Sequence, residues 1–269
     1  MYNINKSGPR HFAAPDEQRA ETFNALLDNP EINGLVAIRG GYGVTRVLEN
    51  IDFEHLRRKE CFVCGYSDIT ALLLVAWKHG CRKLIHGPMI QSSWAADPVS
   101  PAFQVEARSY IYILDIIESS SDIKWPLLPT EAMPDWKIET IKHGTATGPL
   151  IPMNLTLLCA LLGTPFLPDL AGTILALEDV SEPAHDIDRN LNHLRQAGIL
   201  KRLAGLVFGQ FTSAEDESFL PEIQREYAEF VPGPVISNFP FGHAHPSIAL
   251  PFGFQTALQT NHLENVIKI

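Results

Sequence analysis

Basic residues are scarce in this sequence. Lys and Arg number 21 against 31 Asp and Glu, a formal net charge of −10 with histidine neutral. Phosphate contacts need the opposite balance, so binding to a nucleic-acid polymer is not expected. Long hydrophobic runs are missing as well. The longest, residues 71–77, holds seven apolar residues, far short of the ~18 that would cross a bilayer, so no membrane partner is expected. The first 22 residues contain no apolar stretch of the kind that opens a secretory signal. Four cysteines in 269 residues are too few to suggest a disulfide scaffold. What is plentiful is ordinary core material, 45% hydrophobic, which argues against disorder. The expectation is a soluble, intracellular globular protein of between one and two domains.

Short β-type runs alternate with helical stretches in the first third. Residues 34–39, 61–64 and 83–86 are apolar runs that each stop at a glycine. Their spacing of about 20 to 27 residues suits βαβ crossovers and a parallel sheet. Residues 68–78 read as a helix stopped near Gly80. The middle of the chain carries Ser119 to Asp122 and then Pro126, Pro129 and Pro134, a composition that marks a connection. An N-terminal domain is therefore expected over 1–125, a linker over 126–144 and a C-terminal domain over 145–269. In the last, the 145–162 segment carries 154–162, which reads as a buried helix ended by Gly163. Residues 173–177, 206–208 and 235–236 read as strands. Ile187, Leu191 and Leu194 form one helical stripe, and 219–230 reads as a further helix.

The clearest chemical signal is Gly65-Tyr66-Ser67-Asp68, where a strand stops and a helix starts at once. Such an elbow holds a hydroxyl at the carboxyl edge of a sheet, with the N–H of the next residue placed for an oxyanion. An equally simple reading is that Ser67 or Asp68 only caps the helix. Arg39-Gly40-Gly41-Tyr42-Gly43 follows the preceding strand; its glycines let backbone approach a ligand, or merely make a tight turn. A serine nucleophile needs a base and an orienting carboxylate. His86 and His243 stand out among ten histidines, and Glu178 ends the 173–177 strand. His243-Ala244-His245 has no partner Cys or His at ligand spacing, so no metal is expected. Cys64 reads as a buried, inert thiol rather than a nucleophile.

Taken in order, Arg39-Gly-Gly-Tyr-Gly43, Gly65-Tyr-Ser-Asp-Ile-Thr70, His86-Gly-Pro88, Leu177-Glu-Asp179, Asp188-Arg189 and Phe241-Gly-His243 resemble the LD-carboxypeptidase family. The resemblance runs from about Phe12 to Phe254. It implies an α/β fold, with an N-terminal parallel-sheet domain similar to class I glutamine amidotransferases and a smaller β-rich C-terminal domain. It implies a serine peptidase with Ser67 as nucleophile, His243 as base and Glu178 as its carboxylate. The oxyanion hole would come from the N–H groups of Asp68 and Gly41, with no cofactor and no metal. Arg39 is a candidate for the substrate carboxylate, or else one half of a structural ion pair. The implied assembly is a cytoplasmic homodimer acting on a small peptide. Two substrates fit that family: a murein tetrapeptide losing a terminal D-amino acid, or a microcin-like aminoacyl or peptidyl nucleotide. For the latter, Trp94, Trp125 and Trp136 are candidate base-stacking residues.

Two departures from the family pattern stand out. The chain starts close to the segment matching 12–27, so the family's first strand is expected to be missing and the sheet to carry an edge or gap there. Pro152-Met153 stands before Asn154-Leu155 where the family usually has two glycines. These departures keep a catalytically impaired peptide-binding homologue in view. A Cys-dependent amidotransferase would fit the fold analogy, but the elbow carries Ser67.

Overall fold

The structure is a computed structural model and describes residues 12–91, 97–119, 136–212, 215–260 and 265–268. Trp94, Trp125 and the 120–135 portion of the proline-rich connection lie outside the described residues.

Helix α1 (Asp16–Asp28) leads into β1 (Gly34–Val36), α2 (Phe53–Lys59), β2 (Phe62–Gly65), α3 (Ile69–Lys78), β3 (Leu84–His86) and α4 (Pro101–Ser119). β1, β2 and β3 pair in parallel, as their spacing predicts. β1 is the outer strand of this sheet among the described residues. The fourth strand comes from the other end of the chain: β9 (Leu250–Pro251) runs antiparallel to β3, placing Leu250 opposite His86.

The remaining elements are β4 (Glu139–Lys142), β5 (Gly144–Asn154), α5 (Leu155–Ala160), β6 (Ile174–Val180), α6 (Ala184–Gln196), β7 (Gly205–Thr212), α7 (Leu220–Ala228), β8 (Val235–Ser237), β10 (Gln255–Thr260) and β11 (Asn265–Lys268). They build a seven-stranded sheet in the order β11-β10-β5-β6-β7-β8-β4, parallel from β5 to β8 and antiparallel at both flanks.

The buried helix expected at the end of the 145–162 segment is present, as α5, but the residues before it form a strand that the sequence does not announce. Residues up to Asn154 form a strand, and helix begins only at Leu155. Alternating exposure along Gly144–Gly148 gives way to a fully buried segment, because β5 is flanked first by β10 and then by β6. The Asn154 side-chain Oδ1, accepting from the Leu157 N–H at 3.0 Å, caps the new helix. β4, within the 126–144 segment read as linker, is a strand of the large sheet.

One buried cluster spans both sheets' helices. It joins Leu72, Leu73 and Leu74 of α3 to Ile151 and Met153 of β5, Leu177 of β6 and Leu191 of α6. α3 is apolar on nearly all sides, with residues 70–76 buried, as expected of a helix enclosed by two layers. Its N-terminus therefore opens where the two sheets meet.

Candidate active site

Ser67 is the pivot of the β2–α3 elbow. Its φ is +61°, the left-handed region that non-glycine residues rarely occupy and that recurs at functional turns. The turn is locked from inside: the Ser67 carbonyl accepts from the Thr70 N–H at 3.0 Å and from the Thr70 hydroxyl at 2.7 Å. Asp68 occupies the helix N-cap but makes no side-chain capping bond. Its buried carboxylate instead accepts the Val44 N–H at 2.9 Å, tying the end of the glycine loop to the elbow. Burial pushes the Asp68 carboxyl up, and the bond from Val44 pulls against that rise.

The glycine loop meets the serine at Gly40. A Cβ built there would lie 2.8 Å from Ser67 Cβ and 2.9 Å from Oγ, so only glycine permits this approach. Gly41, at φ +135°, is exposed, and a Cβ there would meet only the Arg39 guanidinium at 3.8 Å. Arg39 is exposed on the same loop. The Gly43 carbonyl accepts from both terminal nitrogens of Arg19 at 3.2 Å.

Glu178 and His243 come together from the other sheet. Glu178 sits near the end of β6, fully buried, in register with Asn154. His243 lies in the loop after β8, and its Nδ1 is 2.6 Å from Glu178 Oε2, a charge-assisted distance. Burial pushes the Glu178 carboxyl up; the hydrogen bond from His243 pulls it down, and the net direction is upward. Gly242, at φ +129°, makes the approach possible: a Cβ there would lie 3.1 Å from the Glu178 carboxylate. The His243 ring stands edge-on to Tyr66, the neighbour of Ser67, with centroids 4.9 Å apart. His243 is thus carried to the elbow across the joint between the two sheets.

His86, the other histidine singled out, is fully buried, with neither ring nitrogen hydrogen-bonded. Burial drives its pKa down to about 3, so it stays neutral, packed edge-on to Phe241. Cys64 is fully buried, and burial raises its thiol far above the ordinary range, which leaves it unreactive.

Several participants carry only weak sequence signals. Thr70 and Asn154 are buried, and the Asn154 N–H points to the Thr70 hydroxyl at 3.4 Å, linking β5 to the elbow. Asp179 collects the Asn154 amide at 2.8 Å and the Thr156 N–H and hydroxyl at 2.9 Å. Pro152 and Met153 are buried strand residues of β5, paired with Ala176 and Leu177. A cavity of about 380 Å³ opens beside Ala244, lined by Trp136, Gln210, Gln224, Arg225 and Asn238 among others. Among the described residues no three His, Cys, Asp or Glu side chains form a metal-ligating group, and no helix is long and apolar enough to cross a membrane.

Comparison with known proteins covers most of the chain. The family model for the LD-carboxypeptidase N-terminal domain matches residues 2–87, and that for the C-terminal domain matches 147–258. The chain is 30% identical to the probable murein peptide carboxypeptidase of Bacillus subtilis, over 96% of this chain and 78% of that one. It is 26% identical to the microcin C7 self-immunity protein of Escherichia coli, over 90% of this chain and 75% of the relative. The crystal structure of muramoyltetrapeptide carboxypeptidase from Oxalobacter formigenes superposes with a TM-score of 0.82 at 28% identity, covering 98% of this chain and 87% of the other. Two consecutive domain models in the expected order, a matching two-sheet fold and relatives aligned along nearly the whole chain leave one assignment: this protein belongs to the LD-carboxypeptidase family of serine peptidases.

Proposed function

We propose that the protein is an LD-carboxypeptidase that removes a terminal D-amino acid from an L-centre in murein-derived tetrapeptides, through an acyl-enzyme on Ser67. The observation that carries the reading is the 2.6 Å contact between His243 Nδ1 and the buried Glu178 carboxylate, beside the strained Ser67 elbow. In this reading His243 Nε2 takes the Ser67 proton as Oγ attacks the scissile carbonyl. Glu178 holds the tautomer and stabilises the imidazolium that forms. The N–H groups of Asp68 and Gly41 stabilise the tetrahedral oxyanion; the Gly40–Ser67 contact supports a donor from this loop. His243 then returns the proton to the leaving amine, and water releases the acid. Arg39, exposed on the same loop, is the proposed partner of the substrate's terminal carboxylate. The same reading takes the protein as a cytoplasmic homodimer, which sedimentation of the purified chain tests.

A second reading, a microcin-type immunity peptidase acting on aminoacyl or peptidyl nucleotides, draws support from the E. coli relative and from Trp136 lining the cavity beside Ala244. One experiment separates the readings: release of D-Ala from an LD-linked tetrapeptide against hydrolysis of a peptidyl nucleotide, each with the parent and with Ser67→Ala. Turnover of the tetrapeptide that Ser67→Ala abolishes supports the first. Turnover of the nucleotide alone supports the second. No turnover and no fluorophosphonate labelling at Ser67 leaves an impaired binding homologue. Undiminished turnover by Ser67→Ala rejects the mechanism.

A further inference from the structure

The His243 loop follows no regular ladder between Phe241 and Ala249; the Ile248 N–H reaches the Pro240 carbonyl at 2.9 Å, and side chains hold the Gly242, Ala244, Ser247 and Ala249 N–H groups. On one side stands Gln210 of β7, whose amide accepts the Ala244 N–H at 3.2 Å and donates to the Pro246 carbonyl at 3.4 Å. On the other side stands α4, from the N-terminal half of the chain. Glu106, only 3% exposed, aims its Oε1 into the loop and accepts from the Ser247 N–H at 2.7 Å and from His245 Nδ1 at 2.7 Å. One turn on, Ser109 accepts the Ala249 N–H at 2.9 Å and donates to the Glu106 carbonyl at 2.7 Å. Ser247 in turn accepts the Gly242 N–H at 3.1 Å, which carries the anchorage to the residue beside His243.

We infer that Glu106, with Ser109 on the same face of α4, is a positioning residue that sets the place of the His243 loop. It acts through Ser247 and His245 rather than on substrate. A buried carboxylate is an expensive anchor unless it collects strong donors, and here it collects two on one oxygen. An irregular loop held only by its ends moves freely, whereas a general base must be held to within ~0.5 Å. The inference rests on His243 being the base.

The test is steady-state turnover of the LD-linked tetrapeptide by Glu106→Ala, Glu106→Gln and Ser109→Ala, with Ser67→Ala as reference and thermal unfolding of each. Glu106→Ala is expected to lower kcat about 10- to 100-fold with KM within about twofold, the scale of a misplaced catalytic group. Glu106→Gln keeps an oxygen that can accept the Ser247 N–H and is expected to recover kcat to within about tenfold of the parent. Ser109→Ala is expected to lower kcat about threefold to tenfold. A parental kcat in the Glu106 variants, a rise in KM alone, or no recovery by Gln overturns the inference. Should Glu106→Ala not fold, Glu106→Gln and Ser109→Ala carry the test, and parental kcat in both overturns it. Loss of turnover in Ser67→Ala with full kcat in the α4 variants overturns this inference alone; retained turnover in Ser67→Ala overturns the triad reading with it.

Discussion

Replacing Glu178 by Gln should separate function from stability. The carboxylate is fully buried and meets His243 Nδ1 at 2.6 Å. A glutamine that turns its amide nitrogen to Nδ1 imposes the tautomer with the proton on Nε2, which cannot accept from Ser67. It also removes the charge that stabilises the imidazolium. The analogous exchange in a serine-protease triad drops kcat ~10⁴-fold, about 5 kcal/mol of transition-state stabilisation, and the same size is expected here. Stability should move the other way. Burial, the largest influence, leaves the carboxyl pKa raised in the folded state despite the bond from His243. The fold therefore disfavours the ionised form: the penalty is absent below the unfolded-state pKa and complete above the folded-state one. A neutral amide removes that penalty at neutral pH. The assay is D-Ala release together with thermal unfolding at about pH 7, with Tm expected equal to the parent or higher. A kcat within about tenfold of the parent refutes the catalytic argument. A Tm lowered by more than ~4 °C, about 1 kcal/mol or more for a chain of this size, refutes the electrostatic one.

Gly40→Ala should fold yet lose turnover about 100-fold, because the new methyl would stand 2.8 Å from Ser67 Cβ and displacements of this size at a nucleophile carry that penalty; parental kcat/KM would contradict it. The thiols, three buried and Cys159 partly so, should be inert: desolvation pushes Cys81 up to about 11 and Cys159 to about 12, and raises Cys61 and Cys64 as well. Iodoacetamide at about pH 8 is therefore expected to spare the native protein and its activity while labelling it in denaturant; rapid native labelling with loss of turnover would point to a cysteine nucleophile. His86 has its folded-state pKa lowered from 6.5 to about 3. Its proton binds the unfolded chain first, so stability should fall as pH drops from about 6.5 towards 3, by up to ~1.4 kcal/mol per pH unit. Urea midpoints at pH 7 and pH 5 should differ less for His86→Phe than for the parent; an equal difference counts against the assignment.

Much of the framework was legible in the chain itself. The runs at 34–39, 61–64 and 83–86 coincide with β1, β2 and β3 to within a residue or a few, and Ile187, Leu191 and Leu194 are buried on α6. Periods of this kind are local, and local pattern decides which face of an element is buried. The helix at 154–162 was legible but strand β5 was not, because a buried strand running into a short helix reads as one apolar stretch. Chain order also suggested two separate halves, yet β9 from residues 250–251 completes the first sheet. No sequence signal marks that crossing, since it is set by which edge remains to be paired.

The candidate site divides in the same way. By itself the sequence determined the residue types and their elements: a serine at a strand-to-helix elbow, glycines after the preceding strand, a glutamate near a strand end, and a histidine in a loop before the last strands. Only the tertiary structure decided which of them meet. Glu178 and His243 lie 65 residues apart and join at 2.6 Å; Glu106 reaches a loop 139 residues away; the Asp68 carboxylate holds Val44 instead of its own helix. Such contacts follow from how two sheets share one core around α3. Burial then obliges each polar group to find a partner wherever the packing brings one within reach.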